Sequence, residues 1–355
     1  MSTLTAAAPM GRATSDRAVG LWLLVCAVMV LLMAVIGAIT RLTESGLSIM
    51  EWAPLSGALP PLSDGEWRRL FALYQQIPEY QQINRGMSLA EFKTIFWWEY
   101  VHRLWGRLIG VVFAVPFLWF LWRRRLRRPL VPHLLAMFVL GGLQGALGWY
   151  MVASGFAART DVSQYRLVAH LAAAAAIYAY VLWVAIALLV PQPEPSADPR
   201  TGRLRRLMAG LAGLVAATMA AGGFVAGLDA GFIYNTFPLM GGRLVPGEYG
   251  DLRPWALNLF ENAAAVQFNH RVLATLTAAA AIGLWLYSRR LRLAPRARTA
   301  CALVLAATAA QFALGVAALM LVVPVWLGAL HQGLAFVLLA LSLLAVHRLR
   351  PAAGR

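Results

Sequence analysis

The chain has 355 residues, of which 60% are hydrophobic and only 13% are charged, and its mean hydropathy is +0.66. Soluble domains carry roughly 25% charged residues, so the composition excludes a soluble globular protein and indicates one that crosses a membrane several times. The formal net charge of +16 raises the question of nucleic acid binding, which the positions of the charges answer below.

Eight apolar runs are long enough to cross a bilayer as helices, which takes about 20 residues each. They lie near 20–40, 101–122, 131–151, 167–190, 205–226, 269–288, 299–320 and 325–347. We therefore predict an all-α polytopic membrane protein with eight transmembrane helices and both termini on one side. The first run lacks a small-residue cleavage site, which predicts a retained helix rather than a removed signal peptide.

Basic side chains concentrate in the two termini and in the segments 123–128, 200–206 and 289–298. Nineteen lysines and arginines fall on that side of the predicted topology, against three acids, whereas twelve bases meet twelve acids on the other side. By the positive-inside rule the first side is cytoplasmic. The excess charge is thus explained by topology beside anionic lipid headgroups, and we expect the bilayer, but no nucleic acid, as a partner.

In chain order, the sequence predicts two units of four helices joined by a proline-rich cytoplasmic linker. The predicted parts are a cytoplasmic tail (1–18), a first unit (19–190), the linker (191–204), a second unit (205–347) and a second tail (348–355). The first unit contains a long outer loop at 42–98, which is rich in aromatic residues and is expected to be partly helical.

The second unit repeats motifs of the first. A His-Arg pair opens the second and the sixth runs, a glutamine and a glycine recur in the third and seventh, and a histidine opens the fourth and eighth. These residues are His102-Arg103 and His270-Arg271, Gln144 and Gln311, Gly148 and Gly315, and His170 and His331. Because each unit has an even number of helices, both copies point the same way, which predicts a pseudo-two-fold axis along the membrane normal.

The remaining histidines and the two cysteines are assigned no chemistry. Cys26 and Cys301 fall inside the first and seventh predicted helices, where we expect them to pack, and the outer loops carry no cysteine pair for a disulfide or a redox centre. His133 and His347 lie at cytoplasmic helix ends beside arginines, and we leave both out of the site.

Four histidines at matched repeat positions are the main chemical signal. His102, His170, His270 and His331 each lie in the first turn or two of an even-numbered run, at the outer end. Zinc and copper sites recruit cysteine or carboxylate, or gather their histidines around one centre, whereas this repeat groups them two and two. One imidazole from each of two facing helices suits a haem, which takes a ligand on either face. The small residues at 141–142, 145 and 172–176 leave room for a flat macrocycle.

The charged neighbours of the first histidine differ between the units. Arg103 and Arg271 are candidate partners for haem propionates, whereas Arg107 is equally consistent with snorkelling to the interface. Glu99 stands three residues before His102, but Gln267 takes that place before His270. The acid either stabilises the start of its helix or gives the first site a chemical role, with the second site holding a fixed cofactor that passes electrons.

Five motifs resemble the haem A synthases of bacteria and mitochondria. They are TESGLS (43–48), EFK (91–93), EYVHR (99–103), NTFPLM (235–240) and QFNHR (267–271), and the resemblance runs from about Gly37 to His331. It implies an eight-helix oxidoreductase that converts the C8 methyl of haem O into a formyl group, making haem A for terminal oxidases.

For individual residues, the resemblance implies that His102 and His170 flank the substrate haem, with Glu99 as catalytic carboxylate. It also implies that His270 and His331 ligate the iron of a haem b. The chain is similar to the branch of alphaproteobacteria and mitochondria whose outer loops lack cysteine pairs. A role for loop thiols in electron delivery is therefore not carried over.

The residues and the resemblance together give a mechanistic hypothesis. Haem iron activates an oxidant or accepts electrons near the substrate methyl, and Glu99 takes up protons or stabilises developing positive charge during two hydroxylations. The expected partners are haem O, an electron donor and a haem O synthase. The expected location is the bacterial inner membrane, with the haem sites toward the periplasm.

Two other classes of protein compete with this interpretation. A bis-histidine electron-transfer cytochrome b usually places ligands at two depths, whereas these four histidines lie at one. A transporter needs polar groups through the middle of the membrane, whereas this sequence concentrates them at one edge.

Overall fold

The computed structural model describes residues 10–53, 56–156, 159–190 and 198–350, with side chains from residue 16 onward. Parts of both predicted tails and of the predicted linker lie outside these residues. The described residues contain ten α-helices: α1 (Met10–Leu42), α2 (Asp64–Tyr74), α3 (Pro78–Gln82), α4 (Leu89–Trp122), α5 (Leu130–Val152), α6 (Gln164–Leu189), α7 (Thr201–Gly227), α8 (Ala263–Arg289), α9 (Pro295–Met320) and α10 (Val325–Arg348).

Eight of these helices are long and apolar enough to span a membrane, namely all except α2 and α3. The predicted all-α polytopic class and the predicted number of spans are therefore confirmed. Short 3₁₀ turns lie at Ser56–Ala58, Ala153–Gly155, Ala230–Phe232, Gly247–Gly250 and Trp255–Leu259. The division into two units, the linker and the tails stays a prediction.

Helices α4 and α8 begin earlier than predicted, as does α1, which begins at Met10 and not near residue 20. Helix α4 starts at Leu89, where Ser88 and Glu91 form a reciprocal capping box, and not near residue 101. Helix α8 starts at Ala263, with Asn262 capping the Ala265 N–H, and not near residue 269. The expectation was wrong because these helices extend beyond their apolar runs, and hydropathy does not detect polar helical turns.

The eight long helices form two rings of four. In the first half α1 and α5 each pack against α4 and α6, and in the second half α7 and α9 each pack against α8 and α10. Between the halves α1 contacts α10, α7 contacts α6, and α6 contacts α10. These pairings are those that two matched units would make, and the predicted axis along the membrane normal stays a prediction.

The two ends of the bundle differ in character. We call the end that carries segments 43–88 and 228–262 the loop end, and the opposite end, with the arginine-rich connections 123–129 and 290–294, the arginine end. The main apolar core includes Trp22, Leu23 and Phe336. Cys26 and Cys301 belong to this core and are buried and unpaired, which confirms that they serve packing.

The long first loop is partly helical, as predicted, because it contains α2 and α3. Its aromatic residues pack on the first turns of α4, where Trp67, Tyr74, Phe92 and Phe96 form a second apolar cluster. The ring centroids of Trp67 and Phe96 lie 4.8 Å apart in an edge-on arrangement. This cluster fixes the loop against the part of α4 that carries Glu99 and His102.

Candidate haem sites

Each of the four histidines lies against a glycine of the preceding long helix. A Cβ added to that glycine would lie 3.0 Å or less from the imidazole Cε1 in every case: Gly37 against His102 at 3.0 Å, Gly148 against His170 at 3.0 Å, Gly222 against His270 at 3.0 Å, and Gly315 against His331 at 2.7 Å. Because such separations are too short for carbon atoms in contact, only glycine leaves room for the ring. The sequence contained these glycines, but their contacts depend on the helix register.

The structure brings the histidines together in two pairs. His102 and His170 are close enough for their charges to interact, and so are His270 and His331. Within the described residues, no three side chains of His, Cys, Asp or Glu converge as they would around a metal ion. The arrangement suits two flat groups that each take one imidazole per face.

Hydrogen bonds hold the ring of His270 and the backbone carbonyls of His170 and His331. The Nδ1 of His270 lies 3.1 Å from the Thr218 carbonyl, and donation there leaves Nε2 as the free lone pair that an iron needs. Gln144 Nε2 donates to the His170 carbonyl at 2.9 Å, and Gln311 Nε2 to the His331 carbonyl at 3.1 Å. Sequence reasoning paired these glutamines but assigned them no role.

The residues present therefore fit a haem in each half. The imidazole is a ligand that haem iron accepts, and each ring lies in a niche that any side chain on the facing glycine would fill. The Nδ1 atoms of His102 and His331 are buried and have no partner among the described residues. A bound group at Nε2 would complete the orientation of the His102 ring, whereas Nε2 of His331 lies 3.4 Å from Gln311 Nε2.

Glu99 is buried, with 2% of its surface exposed, and both of its carboxylate oxygens accept hydrogen bonds. Oε2 accepts from the Ser48 hydroxyl and the Ile49 N–H, each at 2.7 Å. Oε1 accepts from Arg103 Nε at 2.9 Å and Nη2 at 2.6 Å. Four donors hold the carboxylate beside the first histidine pair.

Glu99 does not stabilise a helix start. It is the eleventh residue of α4, in the helix interior, and the capping box at Ser88 and Glu91 satisfies the N-terminus. His102 lies still further along, in the fourth turn, so its predicted place in the first two turns was wrong. His270 lies in the third turn of α8, so its predicted place was wrong as well, whereas His170 and His331 lie within the first two turns of α6 and α10, as predicted.

Arg103 joins α4 to residues 48–53, which we call the first strap. Besides binding Glu99, it donates to the carbonyls of Ile49 at 2.7 Å and Glu51 at 3.1 Å. One turn further along the helix, Arg107 donates to the Ala53 carbonyl at 2.8 Å. Glu99 and the two arginines thus hold the first strap along α4 at the loop end.

The second half holds residues 230–236, the second strap, in a similar way. Arg271 donates to the carbonyls of Tyr234 at 2.7 Å and Thr236 at 2.8 Å. Gln267 Nε2 donates to the Ala230 carbonyl at 2.7 Å, and its Oε1 accepts from Arg271 at 3.1 Å. Most N–H groups of Arg103 and Arg271 thus bind loop carbonyls or the neighbouring side chain, and the buried Arg271 Nε has no partner in the described residues.

The other two histidines lie away from both pairs, toward the arginine end. His133 Nδ1 is 2.6 Å from the Tyr180 hydroxyl, and His347 is buried with its ring edge-on to Trp183. Tyrosine and tryptophan packing accounts for both positions. Neither histidine faces the pair in its own half.

Fold and geometry define a polytopic α-helical membrane protein with two candidate bis-histidine haem sites, only one of which has an acid beside it. The family model described as cytochrome oxidase assembly protein matches residues 20–343. The chain belongs to that family.

Similar proteins carry a more specific name. The chain is 54% identical over 351 residues to a haem A synthase of Rhodospirillum centenum, covering 99% of this chain and 93% of that protein. It is 49% identical to a haem A synthase of Nitrosospira multiformis, covering 94% of both chains, and 51% identical to one of Granulibacter bethesdensis, covering 95% and 88%.

Proposed function

We propose that this protein is a haem A synthase, which oxidises the C8 methyl of haem O to a formyl group by successive hydroxylations. The observation that carries the proposal is the asymmetry of two otherwise matched sites. A buried carboxylate, Glu99, stands beside the first histidine pair, whereas the neutral Gln267 stands beside the second. The names of the similar proteins support the same activity.

In this proposal His102 and His170 flank the substrate haem O, whose iron supplies the redox chemistry when it is bound. Glu99 precedes His102 by three residues on the same helix, so both side chains project from one side of α4. Proton uptake by Glu99 is easiest at Oε2, because the Ser48 hydroxyl can rotate and accept the new proton. The Arg103 hydrogen bonds to Oε1 then persist, and the first strap keeps its place.

His270 and His331 are proposed to hold a resident haem b that passes electrons to the first site. The Thr218 carbonyl fixes the His270 tautomer, and Gln267 adds no charge that would favour proton transfer. Arg271 is proposed to meet a propionate through Nε, the nitrogen that binds no loop carbonyl, and Arg103 through its remaining N–H group.

The membrane topology is proposed from the charges. The arginine end faces the cytoplasm and carries both termini, by the positive-inside rule, in the inner membrane of a bacterium. Both haem sites then lie toward the periplasmic side. An electron donor and an associated haem O synthase are the proposed partners, because a hydroxylation by dioxygen takes two electrons from a donor and haem O is poorly soluble in water.

Pigment extraction from the purified protein tests the function. We expect haem O and haem A beside haem b. Haem b alone would contradict the synthase and favour a bis-histidine electron-transfer cytochrome, and a protein without haem would favour a transporter.

A further inference from the structure

The middle of α5 is largely uncovered. From residue 138 to residue 146 every side chain is exposed except Gln144, which is half-buried. Nine residues make about two and a half helical turns, so this stretch includes the side of α5 that faces the first site. A Cβ added at Gly141, Gly142 or Gly145 would meet nothing within 4 Å.

The matching part of α9 carries larger side chains, although Ala306, Ala309, Ala310 and Ala313 are exposed. Gly148 and Gly315 both contact a histidine, and Gln144 and Gln311 both bind a histidine carbonyl, so these residues align the two helices. In this alignment Thr308, Ala309 and Phe312 replace Gly141, Gly142 and Gly145. Thr308 is 4% exposed, and the Phe312 ring lies edge-on to Phe237, with centroids 6.0 Å apart.

The aromatic side chains of the two straps also differ in their contacts at the loop end of each site. The Arg103 and Arg271 hydrogen bonds align Ile49 with Tyr234, and this register places Trp52 opposite Phe237. Trp52 packs on Trp149, with ring centroids 5.8 Å apart, rather than over Gly145. In the first half these two half-exposed tryptophans therefore contact each other, and the space at the glycines of α5 is open.

The two haems differ in a way that matches this difference. Haem O carries a hydroxyethylfarnesyl chain where haem b has a vinyl group, on the side of the macrocycle opposite the propionates. Charged propionates favour the polar loop end, because burying them among apolar helices is costly. The hydrocarbon chain then points toward the middle of the membrane, along the line from Gly148 to Gly141, which spans about 10 Å.

We propose that the open face of α5 at Gly141 and Gly145 receives the hydroxyethylfarnesyl chain of haem O, and that Phe312 excludes this chain from the second site. The inference rests on the proposed function, because it requires haem O between His102 and His170. Gly141, Gly145 and Phe312 would give each site its selectivity for one of the two haems.

The variant Gly145→Phe tests the proposal by placing in the first half the phenylalanine that the second half has at the matching position, Phe312. Optical titration of the purified protein, with its resident pigment in place, measures the affinity of the first site for haem O and for iron protoporphyrin IX. We expect Kd for haem O to rise about tenfold or more and Kd for the chain-free haem to change by less than about threefold. The control Gly213→Phe, at an exposed glycine of α7 with no neighbour within 4 Å, should change neither value.

Other outcomes would overturn the proposal. Equal weakening of both haems would mean that the new ring blocks the macrocycle, and an unchanged Kd for haem O would mean that a lipid chain or another group covers α5. If His102→Ala abolishes the binding of neither haem, the assignment of the first site fails as well.

A second variant makes the test independent of how well Gly145→Phe folds. Phe312→Gly, in a His102→Ala background that disables the first site, should let the His270–His331 pair take up haem O supplied during expression. Extracted pigment should then contain haem O, which the His102→Ala parent lacks. Pigment without haem O would contradict the role of Phe312.

Discussion

The two halves hold similar straps with side chains of different charge, and the difference indicates where the chemistry lies. In the second half a neutral amide, Gln267, anchors the loop together with Arg271. In the first half a buried carboxylate, Glu99, does so together with Arg103. Because an amide suffices to hold a strap, the negative charge of Glu99 serves a further purpose. Proton transfer at the first site is the purpose that the proposed reaction requires.

The contacts that position the four imidazoles, in contrast, are closely similar in the two halves. All four rings use a glycine niche on the preceding long helix, and both halves use a glutamine to hold the backbone of their second histidine. In the proposed function, features shared by the halves belong to haem binding, and features found in one half distinguish substrate from resident cofactor.

Glu99→Gln should have the largest effect on activity. Replacing the carboxylate removes the proposed proton acceptor while keeping the size of the side chain, so we expect haem A formation to fall by about 100-fold or more. Haem content should stay near that of the parent. The measurement is haem A produced in membranes, with Gln267→Glu as the matched control, which should neither lose haem b nor gain activity. Normal haem A formation by Glu99→Gln would remove the distinction between the halves.

Gly315→Ala and Gly148→Ala should each damage one site only. The added methyl of Gly315→Ala would lie 2.7 Å from His331 Cε1, so the imidazole must move, and misplacing a ligand costs about 10–100-fold in affinity. We expect weaker haem b retention in Gly315→Ala and weaker haem O binding in Gly148→Ala, measured by pigment content and titration. Gly210→Ala on α7, where the methyl meets nothing within 4 Å, is the control. Loss of both haems in either variant would contradict independent sites.

The spans were predictable from the sequence, whereas the contacts that define the site were not. Hydropathy finds all eight helices because each must bury its backbone in lipid. The early start of α4 had a local signal, the serine and glutamate of its capping box at Ser88 and Glu91. Glu99 accepts hydrogen bonds from residues about fifty positions away in the chain, and no pattern in the sequence specifies such a pairing. The histidines and the missing second acid were visible in the sequence, because both depend on residue identity alone.

Glu79, a buried acid in the long loop of the first half, makes the stability of that half depend on pH. Burial, with added repulsion from Asp161, Glu44 and Glu99, raises the pKa of Glu79 from 4.5 to about 8, and a hydrogen bond with Tyr74 opposes this shift. The folded protein therefore keeps a proton that the unfolded chain loses, and the free energy of unfolding falls as the pH rises from 4.5 to about 8.

Thermal unfolding in detergent tests this expectation. The melting temperature should be lower at about pH 8 than at about pH 6, and Glu79→Gln should reduce the difference, because the amide needs no proton. Glu66→Gln, on the exposed side of α2, should leave the pH dependence of the parent unchanged. An unaltered pH dependence in Glu79→Gln would show that another group titrates.

Arg41→Gln should have the smallest effect. Arg41 lies at the end of α1 and pairs with Asp161 at 2.6 Å in the first half and with Asp229 at 2.9 Å in the second. Partly exposed ion pairs contribute about 1 kcal/mol or less, so we expect a melting temperature a few degrees lower with both haems retained. Loss of either haem would show that contact between the halves controls the sites.

The most direct test of the central claim is the pigment content of two single-histidine variants, His102→Ala and His270→Ala, purified side by side. If the first half binds the substrate and the second the resident cofactor, His102→Ala keeps haem b and loses haem O and haem A, whereas His270→Ala loses haem b. The opposite pattern, or the loss of the same haem from both variants, would contradict the assignment.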